Sequence, residues 1–478
     1  MLFNSFEYLL FLPLVFLLYW YLCRTRKQQN LLVIIASYVF YGWWDWRFLL
    51  LIALTTLCSY GLGLAIGRFE EKRSVQRAIS AANIIINLLV LGIFKYYNFF
   101  AESFVYLFNR IGYEMDIVTL NVILPVGISF YTFQALSYSI DVYQGKIKPT
   151  KDIVQFFAFI CFFPQLVAGP IERATNLLPQ FYRRREFDYR QAVDGTRQML
   201  WGFFKKLVVA DNCAYFVNQY WNEYENLSSL MLVQLAVLFS FQIYGDFSGY
   251  SDIAIGSAKL FGIKLKKNFD FPYFSRNIGE FWRRWHISLM TWFKDYVYIP
   301  LGGNHCSKLK TACNIFIVFL ISGLWHGANW TFLLWGGYNA VLLIVGNLLS
   351  WNKKSTEIER GSQLSARNII GIVTTFSFVV LGWIIFRSEK ISQFYDYINA
   401  IVDNEVTGPG DHLYMTCFVG ILIMIVIEWL QQKKDHALQL TNKGLMALRP
   451  IRWIIYYTIA LITYSLSGYS QDFIYFQF

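Results

Sequence analysis

The amino-acid sequence predicts an all-α polytopic membrane protein, and three observations carry that reading. Of the 478 residues, 56% are hydrophobic and 19% aromatic, while only 15% are charged. Mean hydropathy is +0.38. Apolar runs of about 20 residues, the length that crosses a bilayer core, recur along the whole chain. The basic residues fall in short clusters between those runs, as they do in the cytoplasmic loops of membrane proteins. A soluble globule of this size has no use for so much apolar surface. The formal net charge of +11 therefore speaks of loop orientation and not of nucleic acid. Seven cysteines are scattered without a Cys-x-x-Cys pair, which argues for neither a disulfide framework nor a zinc site.

Candidate spans lie near 6–22, 31–44, 48–66, 78–94, 122–140, 153–168, 198–217, 228–244, 313–349, 368–386, 413–430 and 451–468. Arg24, Arg26 and Lys27 follow the first, and Arg68, Lys72, Arg73 and Arg77 follow the third. Lys353, Lys354, Arg360 and Arg367 share one late loop, and Lys433, Lys434, Lys443 and Arg449 another. The alternate loops are poorer in Lys and Arg. The basic loops are thus expected in the cytoplasm, the N-terminus outside, and the last residues on the external face. The first span lacks a basic start and a small-residue cleavage site, so it does not read as a cleaved signal peptide. One integral-membrane domain over 1–478 is expected, with a core motif region at about 122–349 and an external C-terminal tail at 469–478.

Between "FPQLVAGPIERATNLLPQFYRRREF" and "PLGGN" the apolar pieces alternate with Gly, Pro and charge. They read as interfacial and re-entrant helices, because irregular backbone is tolerated at membrane depth only inside protein or around a water-filled cavity. Residues 279–298 read as one amphipathic helix along the cytoplasmic boundary. Its stripe of Arg284, Ser288, Thr291 and Asp295 would be expensive against lipid. Asp246, Ser248 and Asp252 are placed at a span boundary, where helix capping is the expectation. Glu172 and Arg173 read as a structural pair after a turn.

The chemistry-bearing candidates are few. Within the apolar stretch Cys313–Leu349, which is too long for one ordinary span and offers breaks at Gly327 and at Gly336-Gly337, the only Asp, Glu, Lys, Arg or His is His326. Ionisable groups in spans usually face a bundle interior or an aqueous cavity. By position alone a buried structural histidine and a functional one are equally good readings, and Gly327 beside it permits close approach. His286 sits among aromatic residues, where an interfacial histidine is the plainer reading. Arg283 and Arg284 read as headgroup contacts. His305 and Cys306 have nothing nearby to complete a metal site, and His412 and His436 fall in loops without a role.

Five segments then appear in order: "LPVGISFYTFQALSYSIDVY" (124–143), "FPQLVAGPIERATNLLPQF" (163–181), "YGDFSGYSDIAIG" (244–256), "FWRRWHISLMTWFKDYVYIPLGG" (281–303) and "GLWHGANWTFLLWG" (323–336). Together they resemble the membrane-bound O-acyltransferase family. Within it they look like the bacterial branch of alginate O-acetylation and teichoic-acid D-alanyl transfer proteins. The resemblance implies a ring of transmembrane helices around a central funnel or tunnel. It places His326 at the family's catalytic histidine and His286 at a second motif histidine, with Trp325, Asn329, Asp246, Trp282 and Arg283 in support and no metal. The ending Phe473, Tyr475, Phe478 is similar to a C-terminal F-x-Y-x-x-F motif linked to acyl relay. By composition alone Tyr475 would be an aromatic-belt residue.

The resemblance further implies an O-acyltransferase of the bacterial inner membrane with no bound cofactor. It would take an acyl group, acetyl first among the options, from acetyl-CoA or an acyl-carrier-protein thioester on the cytosolic side. It would serve O-acylation of an extracytoplasmic polysaccharide or cell-wall polymer, with a periplasmic acyltransferase as partner and membrane lipids around it. A neutral imidazole suits general-base work on the accepting hydroxyl. Two other classes fit the composition. A transporter of polymer or lipid-linked sugar would carry matching inverted halves, and the Gly/Pro-interrupted region here is central and unpaired. A scaffold for a periplasmic acyltransferase would not need His326 in a span.

Overall fold

A computed structural model describes residues 1–116, 119–120, 125–167, 169–349, 351, 365–408, 414–440 and 448–474. Helix makes up 75% of it, and no strand occurs among the described residues. Six helices there are long and apolar enough to cross a membrane: Phe48–Arg68, Arg73–Arg110, Ser229–Leu260, Lys308–His326, Trp330–Leu348 and Ala366–Arg387. Phe6–Leu22 and Met415–Leu430 are apolar but shorter. The loop from Lys353 to Arg367 lies largely outside the described residues, and His412 and Tyr475 wholly so.

The chain folds as two compact units, residues 1–192 with 257–265, and residues 193–256 with 266–478. In the first unit, local signals start the helices. Ser5 accepts from the Tyr8 amide at 3.3 Å. Thr25 and Gln28 form a capping box before Arg26–Gly42, which satisfies two orphan N–H groups at once. The helix Ile128–Tyr143 is almost wholly buried and packs so near Phe48–Arg68 that a Cβ on Gly63 would lie 2.4 Å from the Tyr138 ring. The expected span at 153–168 is instead broken. Ile153–Cys161 ends at Phe162 (φ −49°, ψ 106°), and a short turn Phe163–Leu166 follows. Pro164 has no N–H to continue the first helix, and Ser37 Oγ takes the Phe163 amide at 3.0 Å. Glu172 is buried and accepts from Asn176 Nδ2 at 2.6 Å.

In the second unit the expected span at 228–244 is too short by half. Its helix runs unbroken from Ser229 to Leu260, so Asp246, Ser248 and Asp252 lie inside it and cap nothing. The two carboxylates are met from the side by the helical run Tyr189–Phe204, Lys205–Ala210, Asp211–Tyr220. The two backbones touch there. A Cβ on Gly202 would lie 2.6 Å from the Gly249 carbonyl oxygen, and one on Gly249 would lie 2.8 Å from that of Gly202. Only small residues permit such an approach between membrane helices. It sets Lys205 Nζ 2.6 Å from Asp252 and Lys206 Nζ 2.9 Å from Asp246.

The amphipathic helix expected over 279–298 is also interrupted. Ile278–Arg284 and Ile287–Phe293 are separate helices of seven residues, each spanning only about 10 Å. Arg284 is not part of an exposed stripe. It is buried and pairs with Glu280 at 2.5 Å.

Candidate active site

Both histidines singled out in the sequence lie in the second unit, each where a helix ends. His286 is the hinge between the two seven-residue helices and adopts φ 44°, ψ 50°. A non-glycine residue in that left-handed region costs roughly 1–3 kcal/mol, so its surroundings must hold it there. Asn268 supplies the hold. Its carbonyl oxygen accepts the Ile287 amide at 2.8 Å. Its side-chain Oδ1 accepts from Ser288 Oγ at 2.8 Å and from the Ser288 amide at 3.3 Å, and lies 3.0 Å from His286 Nδ1. Its Nδ2 donates to Ser251 Oγ at 3.2 Å.

These bonds fix the imidazole tautomer. A backbone N–H can only donate, so the Ser288 amide identifies the oxygen end of Asn268. That oxygen then receives the Nδ1 proton of His286 and leaves Nε2 as an acceptor. Burial pushes the His286 pKa well below the usual imidazole value, and His326 nearby lowers it further. The imidazole is therefore neutral in the folded protein. Below about pH 6.5 the unfolded chain binds a proton here that the folded chain refuses, so this site loses stability as pH falls.

His326 closes the helix Lys308–His326, and Gly327 follows in extended backbone (φ −166°, ψ 157°). A Cβ on Gly327 would lie 2.0 Å from the Phe332 ring, so no side chain fits there. Asn329 builds the corner: Oδ1 accepts the Thr331 amide at 3.1 Å to cap Trp330–Leu348, and Nδ2 donates to the Glu389 carbonyl at 2.7 Å. The break in the long apolar stretch is thus at 327–329. Gly336 serves packing instead, since a Cβ on it would lie 2.3 Å from the Phe319 carbonyl oxygen. Gly336→Val is expected to destabilise by about 1–3 kcal/mol through overpacking and to lower transfer with it. Gly337→Ala, whose nearest neighbour atom would be 3.9 Å away, is expected to be neutral. Thermal unfolding in detergent distinguishes the two.

An aromatic wall joins the two imidazoles. His326 meets Trp335 edge to face at 5.2 Å and Phe386 at 5.5 Å. Trp335 contacts Trp282 at 5.8 Å and Trp383 at 6.0 Å. Trp383 touches Trp285 at 4.9 Å, Trp285 touches Phe269 at 5.0 Å, and Phe269 stacks 6.3 Å from His286. Phe247 meets His286 edge-on at 4.6 Å. His286 and His326 are 3% and 7% exposed, so protein shields both from solvent.

The remaining sequence candidates divide. Trp325 is buried beside His326, and Trp282 belongs to the shared wall. Arg283 is exposed and, with Trp282, Lys294, Tyr298 and Phe319, lines a cavity of about 440 Å³. Asp246 points elsewhere and accepts the Ile474 amide at 2.6 Å. Phe473 and Ile474, in the segment expected as an external tail, are buried, and Phe473 packs 4.4 Å from Tyr250 and 6.3 Å from Phe247. Asn268, Trp383 and Phe386 were not found by sequence reasoning. Asn268 has no periodicity or motif spacing that would mark it, and the two aromatics read as ordinary span residues. His436, given no role, ties its segment to Asp194 at 3.0 Å.

The model of MBOAT, the membrane-bound O-acyltransferase family, matches residues 31–357. The chain belongs to the membrane-bound O-acyltransferase family. It is 41% identical to a probable alginate O-acetylase AlgI of Pseudomonas aeruginosa over 392 residues, covering 82% of this chain and 73% of the relative. It is 34% identical to a peptidoglycan O-acetyltransferase of Helicobacter pylori over 421 residues, covering 82% and 78%. It is 31% identical to a teichoic acid D-alanyltransferase of Bacillus subtilis over 287 residues, covering 56% and 70%. This multi-pass membrane protein is an O-acyltransferase.

Proposed function

We propose that this O-acyltransferase moves an acetyl group from a cytosolic thioester across the bacterial inner membrane for O-acylation of an extracytoplasmic polysaccharide or cell-wall polymer. The observation that carries the reading is the pair of buried histidines on one aromatic wall. His326 is assigned as the general base. It takes the proton of the accepting hydroxyl as that oxygen attacks the acyl carbon. The carbon–sulfur bond then breaks, and the departing thiolate recovers the proton from the imidazolium. A water-poor setting protects the thioester from hydrolysis meanwhile.

His286 is assigned a positioning role. With Nδ1 engaged by Asn268, its Nε2 accepts and does not donate. It therefore suits an amide N–H of a pantetheine arm better than the thioester carbonyl. Arg283 and Lys294 at the neighbouring cavity favour a donor that carries phosphate, which both acetyl-CoA and a carrier-protein arm do. The relatives named as an alginate O-acetylase and a peptidoglycan O-acetyltransferase support a polymer acceptor, reached through a periplasmic acyltransferase partner. Tyr475 is assigned as the acyl relay between donor and partner.

Reconstituted protein supplied with radiolabelled acetyl-CoA or acetylated carrier protein tests this reading. Label is expected to appear on the protein or on a hydroxyl acceptor with one of the two donors. Retention of all label on both thioesters would sink it.

A further inference from the structure

We propose that Lys206, Asp211 and Asp246 form a clamp that docks residues 471–474 and sets the register that seats Phe473 against Phe247, the ring in edge contact with His286. The three side chains are 1–3% exposed, with Lys206 Nζ 2.8 Å from Asp211 and 2.9 Å from Asp246. Burying such charges is costly unless every donor and acceptor is met. An ammonium has three hydrogens to place. The two carboxylates lie within ion-pair distance of it, and it donates a hydrogen bond to the Gln471 carbonyl at 3.0 Å. Asp246 in turn takes the Ile474 amide on Oδ2 at 2.6 Å. Residues 471–474 thus give Lys206 a carbonyl acceptor and Asp246 an amide donor.

Both contacts to the tail are made to its backbone, three residues apart. The clamp therefore reads spacing along the chain and not side-chain identity. Side-chain selection falls to Phe473, which fills the niche between Tyr250 and Phe247, the latter in edge contact with His286. A slip of one residue would move Phe473 out of that niche and shift whatever follows Ile474. The consequence for transfer rests on the relay reading of Tyr475, whereas the docking itself does not.

Two full-length variants test the clamp. Asp246→Asn removes the charge from the core side. Ile474→Pro removes the amide donor from the tail side and leaves Lys206, Asp211 and Asp246 in place; Ile474→Ala, which trims the same buried side chain but keeps the amide, controls for lost packing. Hydrogen–deuterium exchange of the peptide covering 469–478 is read together with acyl transfer. Exchange is expected to quicken by about tenfold or more in Asp246→Asn and in Ile474→Pro, with transfer falling in parallel. Exchange at the parental rate in Ile474→Pro overturns the clamp. Faster exchange with unchanged transfer supports the clamp and overturns the relay reading instead.

Discussion

His326→Ala is expected to lower acyl transfer by about 10²–10⁴-fold, the usual cost of removing a general base, with the protein still folded and inserted. The imidazole is 7% exposed and packs edge-on against Trp335 and Phe386. Its loss leaves a small gap, but the corner it sits on is held by others. Gly327 fits under Phe332, and Asn329 caps the next helix and anchors to the Glu389 carbonyl. The Lys308–His326 and Trp330–Leu348 helices are themselves long and apolar enough to cross a membrane. The variant should therefore reach the membrane in normal amount, and its melting temperature should fall only slightly. Initial transfer rate at matched protein level is the deciding measurement. Near-parental transfer would remove His326 from the chemistry and return it to a packing role.

How far the sequence could carry this depends on what each residue touches. His326 stood out as a candidate because it is the lone ionisable group in an apolar run, and its buried place at a helix end is where the structure puts it. The hairpin around it was legible because Cys313–Leu349 is too long for one span. The Ser229–Leu260 helix was not, because Asp246, Ser248 and Asp252 would be costly against lipid and so look like a span's end. Of its most apolar window, 78% is buried in protein, and the lysines that meet those carboxylates come from 205 and 206. Burial of that kind depends on a neighbouring helix far away in the chain. His286 fails for a different reason. A left-handed non-glycine residue has no compositional mark, so the periodicity of 279–298 read straight through the hinge. Asn268, which holds that hinge, has no local signature at all.

Tyr475→Phe is expected to abolish delivery of the acyl group to an external acceptor while sparing insertion and folding. Tyr475 itself lies outside the described residues, and the expectation is built on what precedes it. Phe473 and Ile474 are both 1% exposed, so the segment that leads to Tyr475 is packed within the second unit. Phe473 lies against Phe247, whose ring meets His286. An aromatic-belt tyrosine would follow an exposed segment and would tolerate loss of its hydroxyl. A relay tyrosine must follow a docked one, because its oxygen has to reach the base and the thioester together. In that role the phenol loses its proton to His326 and takes the acyl group as the thiolate leaves. The resulting aryl ester is activated enough to pass the group to a partner's hydroxyl, and two easier transfers replace one difficult one. Phenylalanine keeps the ring and removes only the hydroxyl oxygen. Mass spectrometry of the C-terminal peptide after incubation with a thioester donor should find an added acetyl group in the parent and none in Tyr475→Phe, with polymer acylation lost alongside. A variant that acylates polymer as well as the parent would leave Tyr475 as an anchor and send the acyl group directly from donor to acceptor at His326.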